Sequence, residues 1–315
     1  MTDAATPSLG PGRAGVARSE TRGDARRLRP LKAYLGLGVA TLFWSSNAVA
    51  VKLALQEIPE LATAPLRITL AAATLLAIYT ARGERVRLRP GEAWRFLHLG
   101  LWGLALSFSL FTVGIHRTSI SHAVFVGALT PMTVLLMAWR KGQERISPLR
   151  LGALLLSLAG VLLLALDRKP EAGPSWQGDV LVVGGVVCFA FYNVRGKELA
   201  SFYPSLQFNT YCFLAAALWL SPLLLTELTR LPWDRITWVG WSSLLYSATV
   251  GSAGAYLTYY YSLRWVKVSR AAAFQYLQPP LGTAFGLLFF PEILTPRFLA
   301  GAALILAGIV VAEHR

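Results

Sequence analysis

Charged residues along this chain are few and clustered, and between the clusters lie long apolar stretches with almost none. About 20 residues of helix cross the hydrocarbon core of a bilayer. Apolar stretches of that order recur at 33–55, 61–81, 96–115, 119–139, 149–166, 180–199, 206–229, 237–262, 268–290 and 296–312. The pattern predicts an all-α membrane protein with ten transmembrane helices. The fifth and tenth spans are short, which suits helices packed at little tilt or in a locally thinned bilayer.

A second pattern lies within the first. Residues 100–166 align without a gap onto 248–314. The alignment matches Gly103 with Gly251, Ser121 with Ser269, Pro131 with Pro279, Glu144 with Glu292, Pro148 with Pro296 and Gly160 with Gly308. Two apolar segments share Leu and Ala by chance, but not Gly, Pro, Ser and Glu in one register across three helices. The chain is therefore expected to hold repeat 1 (33–166, spans 1–5) and repeat 2 (179–312, spans 6–10). An odd number of spans per repeat makes the second half enter the membrane from the opposite side, an inverted-repeat architecture typical of transporters.

Composition agrees: of 315 residues, 55% are apolar and 15% charged, with a mean hydropathy of +0.50. Soluble domains carry about 25% charged residues. The formal net charge of +14 would suit nucleic acid if it were spread over one surface, but it falls in alternate connections. Most basic residues occupy the N-terminal tail, Arg82 to Arg95, Arg140 to Arg150, Arg195 with Lys197, and Arg264 to Arg270. The intervening connections hold only Arg117, Arg168, Lys169, Arg230, Arg235 and Arg297. That is the positive-inside bias, so both termini are expected in the cytoplasm and no nucleic-acid partner is expected. Residues 1–32 carry Arg13, Arg18, Arg22, Arg26, Arg27 and Arg29 without an apolar run. They lack the core of a cleaved signal peptide and are expected to form a disordered cytoplasmic tail.

Enzyme chemistry finds no footing. Cys188 and Cys212 both lie in spans, and His98, His116, His122 and His314 are scattered without ligand spacing. No nucleotide fingerprint or nucleophile motif appears in a suitable context. Neither a metal nor a cofactor is expected.

The run Phe43-Trp44-Ser45-Ser46-Asn47, followed by Lys52, resembles the opening helix of the EamA-type drug/metabolite transporter superfamily. Arg67 in the second span, mid-helix Pro131 and Pro279, Glu144 and Glu292 before the last helix of each half, and Gly160 and Gly308 within those helices fit the same family. The resemblance covers about 33–312. It implies a carrier in the inner membrane whose partners are a small-molecule substrate and the lipid bilayer. Members of the family export amino acids and other metabolites, and the aromatic-rich interior here is similar to the aromatic amino-acid type of exporter. A multidrug or organic-cation exporter, and a membrane sensor that binds without transporting, are the alternatives.

Polar side chains within spans are costly unless they face a cavity or a partner helix. Asn47, Asn193, Gln275 and Gln278 either line a site or bond between helices. Pro131 and Pro279 are candidate hinges, since a proline cannot donate to the carbonyl four residues back, at Gly127 and Gln275. Trp44, Phe108, Phe111, Tyr192, Tyr256 and Tyr260 offer aromatic faces to a substrate or pack as ordinary core. Gly103, Ser107, Ser247, Gly251 and Ala255 form small-residue stripes suited to close helix approach. Lys52 and Arg67, toward the outer ends of their spans, are expected to form a basic rim or to snorkel. No acidic residue reaches mid-span, and His122 lies near an outer end, so facilitated movement of a neutral or zwitterionic substrate is expected. Reporter fusions after Arg315 and within 167–178 should report opposite sides of the membrane; the same side for both would dismiss the inverted repeat.

Overall fold

The computed structural model describes residues 12–83, 88–142, 147–166, 175–266 and 274–313. Residues 1–11 of the tail, Glu144, the connection 167–174 and the start of the ninth expected span lie outside them. Among the described residues every regular element is helical. The first half comprises α1 (Gly12–Ala54), α2 (Glu60–Ala81), α3 (Ala93–His116), α4 (Ile120–Gly127), α5 (Thr130–Arg140) and α6 (Pro148–Ala165). The second comprises α7 (Trp176–Ala200), α8 (Ser205–Leu228), α9 (residues 238–262), α10 (Gln278–Phe289) and α11 (Pro296–Glu313). Six helical stretches are long and apolar enough to cross a membrane: Leu31–Ala54, Glu60–Ala81, Ala93–His116, Ile120–Met137, Trp176–Ala200 and Ser205–Leu228. Leu151–Leu164 and Pro296–Gly308 are shorter apolar helices.

Local chemistry sets the ends. Ser119, Ser175 and Thr237 accept the backbone N–H of His122, Gly178 and Val239 at 3.1, 3.1 and 3.2 Å, capping α4, α7 and α9. Pro59 and Pro204 precede α2 and α8 in nearly equal conformations (φ −52° for both). Helix α1 begins at Gly12 and so takes in residues 12–32 of the expected tail. The six Arg and three Ala of that stretch favour helix while its three Gly and Pro30 do not, and extending an existing helix avoids the cost of nucleation.

Helix packing follows the repeat. Exchanging the two halves pairs α1 with α7, α2 with α8, α3 with α9, α4–α5 with α10, and α6 with α11. Helix α3 packs on α7 as α9 packs on α1, and α5 packs on α7 as α10 packs on α1. The contacts α2 on α8 and α6 on α11 each map onto themselves. The halves are thus related by an approximate twofold, and the α6–α11 crossing shows it at atomic detail. A Cβ on Gly160 would lie 2.7 Å from the Gly301 carbonyl oxygen and 2.8 Å from Ile305. A Cβ on Gly308 would lie 2.6 Å from the Ala153 carbonyl oxygen and 3.0 Å from the Ser157 nitrogen. These are the same contacts under the repeat offset, and Ser157, itself the counterpart of Ile305, reaches that residue's carbonyl at 3.4 Å.

Such backbone-to-backbone approach admits no side chain. Gly160→Ala and Gly308→Ala should each destabilise the protein by about 1–3 kcal/mol through overpacking. Gly152→Ala, which would meet nothing within 4 Å, should leave thermal unfolding in detergent unchanged.

Candidate functional site

A cavity of about 120 Å³ lies where α1, α2, α3, α7, α9 and the broken segments α4–α5 and α10 converge. Part of its wall is built of counterparts: Trp44 and Phe189, Phe108 and Tyr256, Gly127 and Gln275, Thr130 and Gln278. The last three pairs keep the offset of the aligned segments. Trp44 and Phe189 follow the offset that relates Pro59 to Pro204. The cavity therefore sits on the approximate twofold. Asn47, Arg67, Ser107 and Phe111 complete the part of the wall used below.

Irregular backbone shapes this wall, and it too comes in counterparts. Helix α3 widens into a π turn at Leu99–Ala105, and α9 does so at Thr249–Gly254. A π turn inserts a residue and redirects the face that follows it, often at functional sites. Phe108 and Tyr256 lie just beyond the two turns. Within the turns, a Cβ on Gly103 would stand 2.6 Å from the ring of Tyr192, and one on Gly251 would stand 2.7 Å from the Asn47 Cβ. Glycine lets α7 and α1 close onto their partners there, so the spatial counterpart of Asn47 is Tyr192 and not Asn193. Farther along, α4 stops at Gly127 and α5 restarts at Thr130, and residues 276–277 interrupt the other half at the matching place. Pro131 and Pro279 lie in the first turns of α5 and α10 and so start new helices instead of bending continuous ones. The Thr130 hydroxyl donates to the Gly127 carbonyl at 2.7 Å, satisfying the acceptor that the proline leaves free.

Most of the residues expected at a site are brought together. Trp44, Asn47, Phe108, Phe111, Tyr256, Gln275 and Gln278 all line the cavity. Trp44 packs at 5.1 Å from Tyr259, 5.6 Å from Tyr256 and 6.0 Å from Phe189. Tyr192, Tyr260 and Asn193 stand behind the wall. Tyr192 and Tyr260 are buried against Phe208 of α8, at 5.8 and 4.8 Å between ring centroids. Asn193 donates to the Phe189 carbonyl at 2.8 Å and accepts from the Tyr259 hydroxyl at 3.3 Å. That hydroxyl accepts in turn from Gln275 at 3.5 Å. Asn193 thus supports the wall through Tyr259. Phe189, Thr130 and Ser107 line the cavity without having been singled out for it; extending the repeat register from Trp44 and Gln278 would have found the first two.

The basic rim is not formed. Arg67 is only 4% exposed and lines the cavity. Its Nε donates to the Ser252 hydroxyl at 2.9 Å, Ser252 donates to the Ser247 carbonyl at 2.8 Å, and the guanidinium lies 4.3 Å from the Phe108 ring centroid. A long side chain pointing into the bundle reaches the second π turn, which counting residues from the span end does not reveal. Lys52 hydrogen-bonds the Thr118 carbonyl and belongs to a clasp around the turn 117–122. There Glu292 accepts from the backbone of Ile120 at 2.6 Å, from that of Ser121 at 3.1 Å and from the Ser121 hydroxyl at 2.5 Å. Glu60 meets Arg117 at 2.6 Å, and the Thr118 hydroxyl donates to Asp179 at 2.7 Å. His122 Nδ1 lies 3.3 Å from Asp179 Oδ2, both side chains being buried. His122 is thus buried against a partner that comes from α7, far away in sequence. At the same end Glu57 accepts from the Thr237 backbone at 2.6 Å and from its hydroxyl at 2.7 Å.

The EamA-like transporter family model matches residues 31–166 and again 176–312. An uncharacterized transporter of Archaeoglobus fulgidus is 26% identical over 285 residues, covering 90% of this chain and all of that one. A "probable amino-acid metabolite efflux pump" of Salmonella typhimurium is 26% identical, covering 87% and 92% of the two chains. A "probable terminal-alkyne amino-acid exporter" of Streptantibioticus cattleyicolor is 23% identical, covering 90% and 94%. A crystal structure at 22% identity superposes with a TM-score of 0.63, over 89% of this chain and 96% of that one, and so shares the fold.

Hydrogen bonds from Thr237 hold the Glu57 carboxyl below its usual range. A carboxyl depressed in the folded state contributes stability above its unfolded pKa and loses that contribution as pH falls through the folded one. The melting-temperature gap between wild type and Glu57→Gln should therefore be steady from pH 6 to 8 and close below about pH 4.

Proposed function

The chain belongs to the EamA-like transporter family, and from that premise we propose that it exports amino acids or closely similar metabolites by alternating access of two inverted five-span halves. The observation that carries this reading is the position of the cavity on the twofold, with counterpart residues on opposite walls. If the halves exchange conformations, the same site opens first to one side and then to the other, and its walls need not be rebuilt. Ten spans in an inner membrane and cytoplasmic termini belong to this proposal. So does the outer position of the clasp around 117–122.

The contents of the cavity favour amino acids over organic cations. Aromatic rings of Trp44, Phe108, Phe189 and Tyr256 supply a surface for a side chain, and the amides of Asn47, Gln275 and Gln278 supply hydrogen bonds. Among the described residues no Asp or Glu lines it, and a lone cation in so apolar a site would need one. The names of the Salmonella and Streptantibioticus relatives point the same way. With no carboxylate among the described residues of the wall to carry a proton, facilitative transport is part of the same proposal.

Counterflow in proteoliposomes loaded with a panel of amino acids tests the reading. Labelled substrate should exchange without an imposed gradient, and Gln275→Ala and Gln278→Ala should slow exchange about tenfold or more at normal expression. A protein that binds amino acids but exchanges none of them is not a carrier, and uphill accumulation driven by a pH gradient would overturn the facilitative part.

A further inference from the structure

A buried charge is expensive and is normally paired. Arg67 is buried, yet among the described residues no Asp or Glu lies within the 4.0 Å that defines an ion pair with it. A guanidinium carries five N–H donors in a rigid planar fork. Nε uses one of them on Ser252. The four on the terminal nitrogens have no protein acceptor among the described residues. The stack on Phe108 and the bond to Ser252 fix the plane of the group, which is the preorganisation that bidentate capture of an anion requires. The second half does not repeat the charge: at the offset that relates Pro59 to Pro204, the counterpart of Arg67 is Cys212.

Among the described residues the wall is therefore one negative charge short of neutrality, and the positive charge of Arg67 is presented to a cavity too small for a large solute. We propose that Arg67 is the receptor for the substrate's carboxylate, holding it through the two terminal nitrogens. The ammonium of an amino acid then turns toward the amides of Gln275 and Gln278. This assignment rests on the carrier reading and names the charge its substrate must bear. Phosphate presents the same kind of anionic oxygen, so the test includes it.

The test is competition against counterflow of the best-exchanged amino acid of the panel. The competitors are its amide, which lacks the carboxylate, its deaminated acid, which lacks the ammonium, and inorganic phosphate. In wild type the deaminated acid should compete at least about tenfold better than the amide, and phosphate should compete poorly. Arg67→Gln should abolish the preference for the acid, and Arg67→Lys should retain it with a raised KM, because a point charge replaces a fork. Should Arg67→Gln fail to fold, the wild-type ranking and the Arg67→Lys variant still decide. Equal competition by amide and acid in wild type, or an undiminished acid preference in folded Arg67→Gln, would overturn the assignment while leaving a working carrier. Phosphate as the strongest competitor would overturn the carboxylate in favour of a phosphorylated substrate. Absence of counterflow for every amino acid would instead sink the carrier reading on which the proposal rests.

Discussion

Hydrocarbon offers the backbone no hydrogen-bonding partner, so each N–H and C=O must be satisfied within the chain, and irregular backbone is tolerated only beside a cavity or within protein. Much of this molecule follows from that one constraint. Its apolar blocks become helices, and its departures from regular helix gather round one small volume. Two π turns, two interrupted helices and the prolines that restart them occur as counterparts in the two halves, and the cavity lies between them. Where a carbonyl loses its helical partner, a nearby hydroxyl replaces it, as Thr130 does for Gly127. Ser252 plays a comparable part inside the second π turn, donating to the Ser247 carbonyl while accepting from Arg67.

Polar interactions are placed economically. Those that hold the helices together gather at their ends, above all around the turn 117–122, where side chains from α1, α2, α7 and the connection between α10 and α11 converge. Glu292 satisfies the free N–H groups at the start of α4, an arrangement in which a carboxylate and a helix N-terminus complement each other. The interior keeps its few polar groups for the cavity and for the layer behind it. In that layer Asn193, Tyr259 and Gln275 pass hydrogen bonds from α7 through α9 to the wall.

How far the sequence discloses this depends on distance along the chain. Features written in one helix were legible: Pro131 and Pro279 lie where the helices are interrupted, and Gln275 and Gln278 lie in the wall of the cavity. The repeat was legible as well, but only over its last three spans. The first two follow an offset shorter by three residues, which hid the pairing of Asn47 with Tyr192 and of Trp44 with Phe189. Features that need a partner from elsewhere were not legible. Tyr192 and Tyr260 share helix faces with wall residues, yet Phe208 of α8 draws them behind the wall. Arg67 pointed inward because Ser252 waits in a π turn that no residue type announces, and His122 was buried because Asp179 arrives from α7.

The twofold that organises the cavity is geometric and not chemical. Across the axis Gly127 faces Gln275, Thr130 faces Gln278, Phe108 faces Tyr256, and Arg67 has only a thiol as its counterpart. A cavity with identical halves would admit any guest in two equivalent poses. Unlike halves remove that degeneracy. A guest gripped at three unlike points, by a cation, by amides and by aromatic rings, meets a chiral surface, and one enantiomer fits it better than the other.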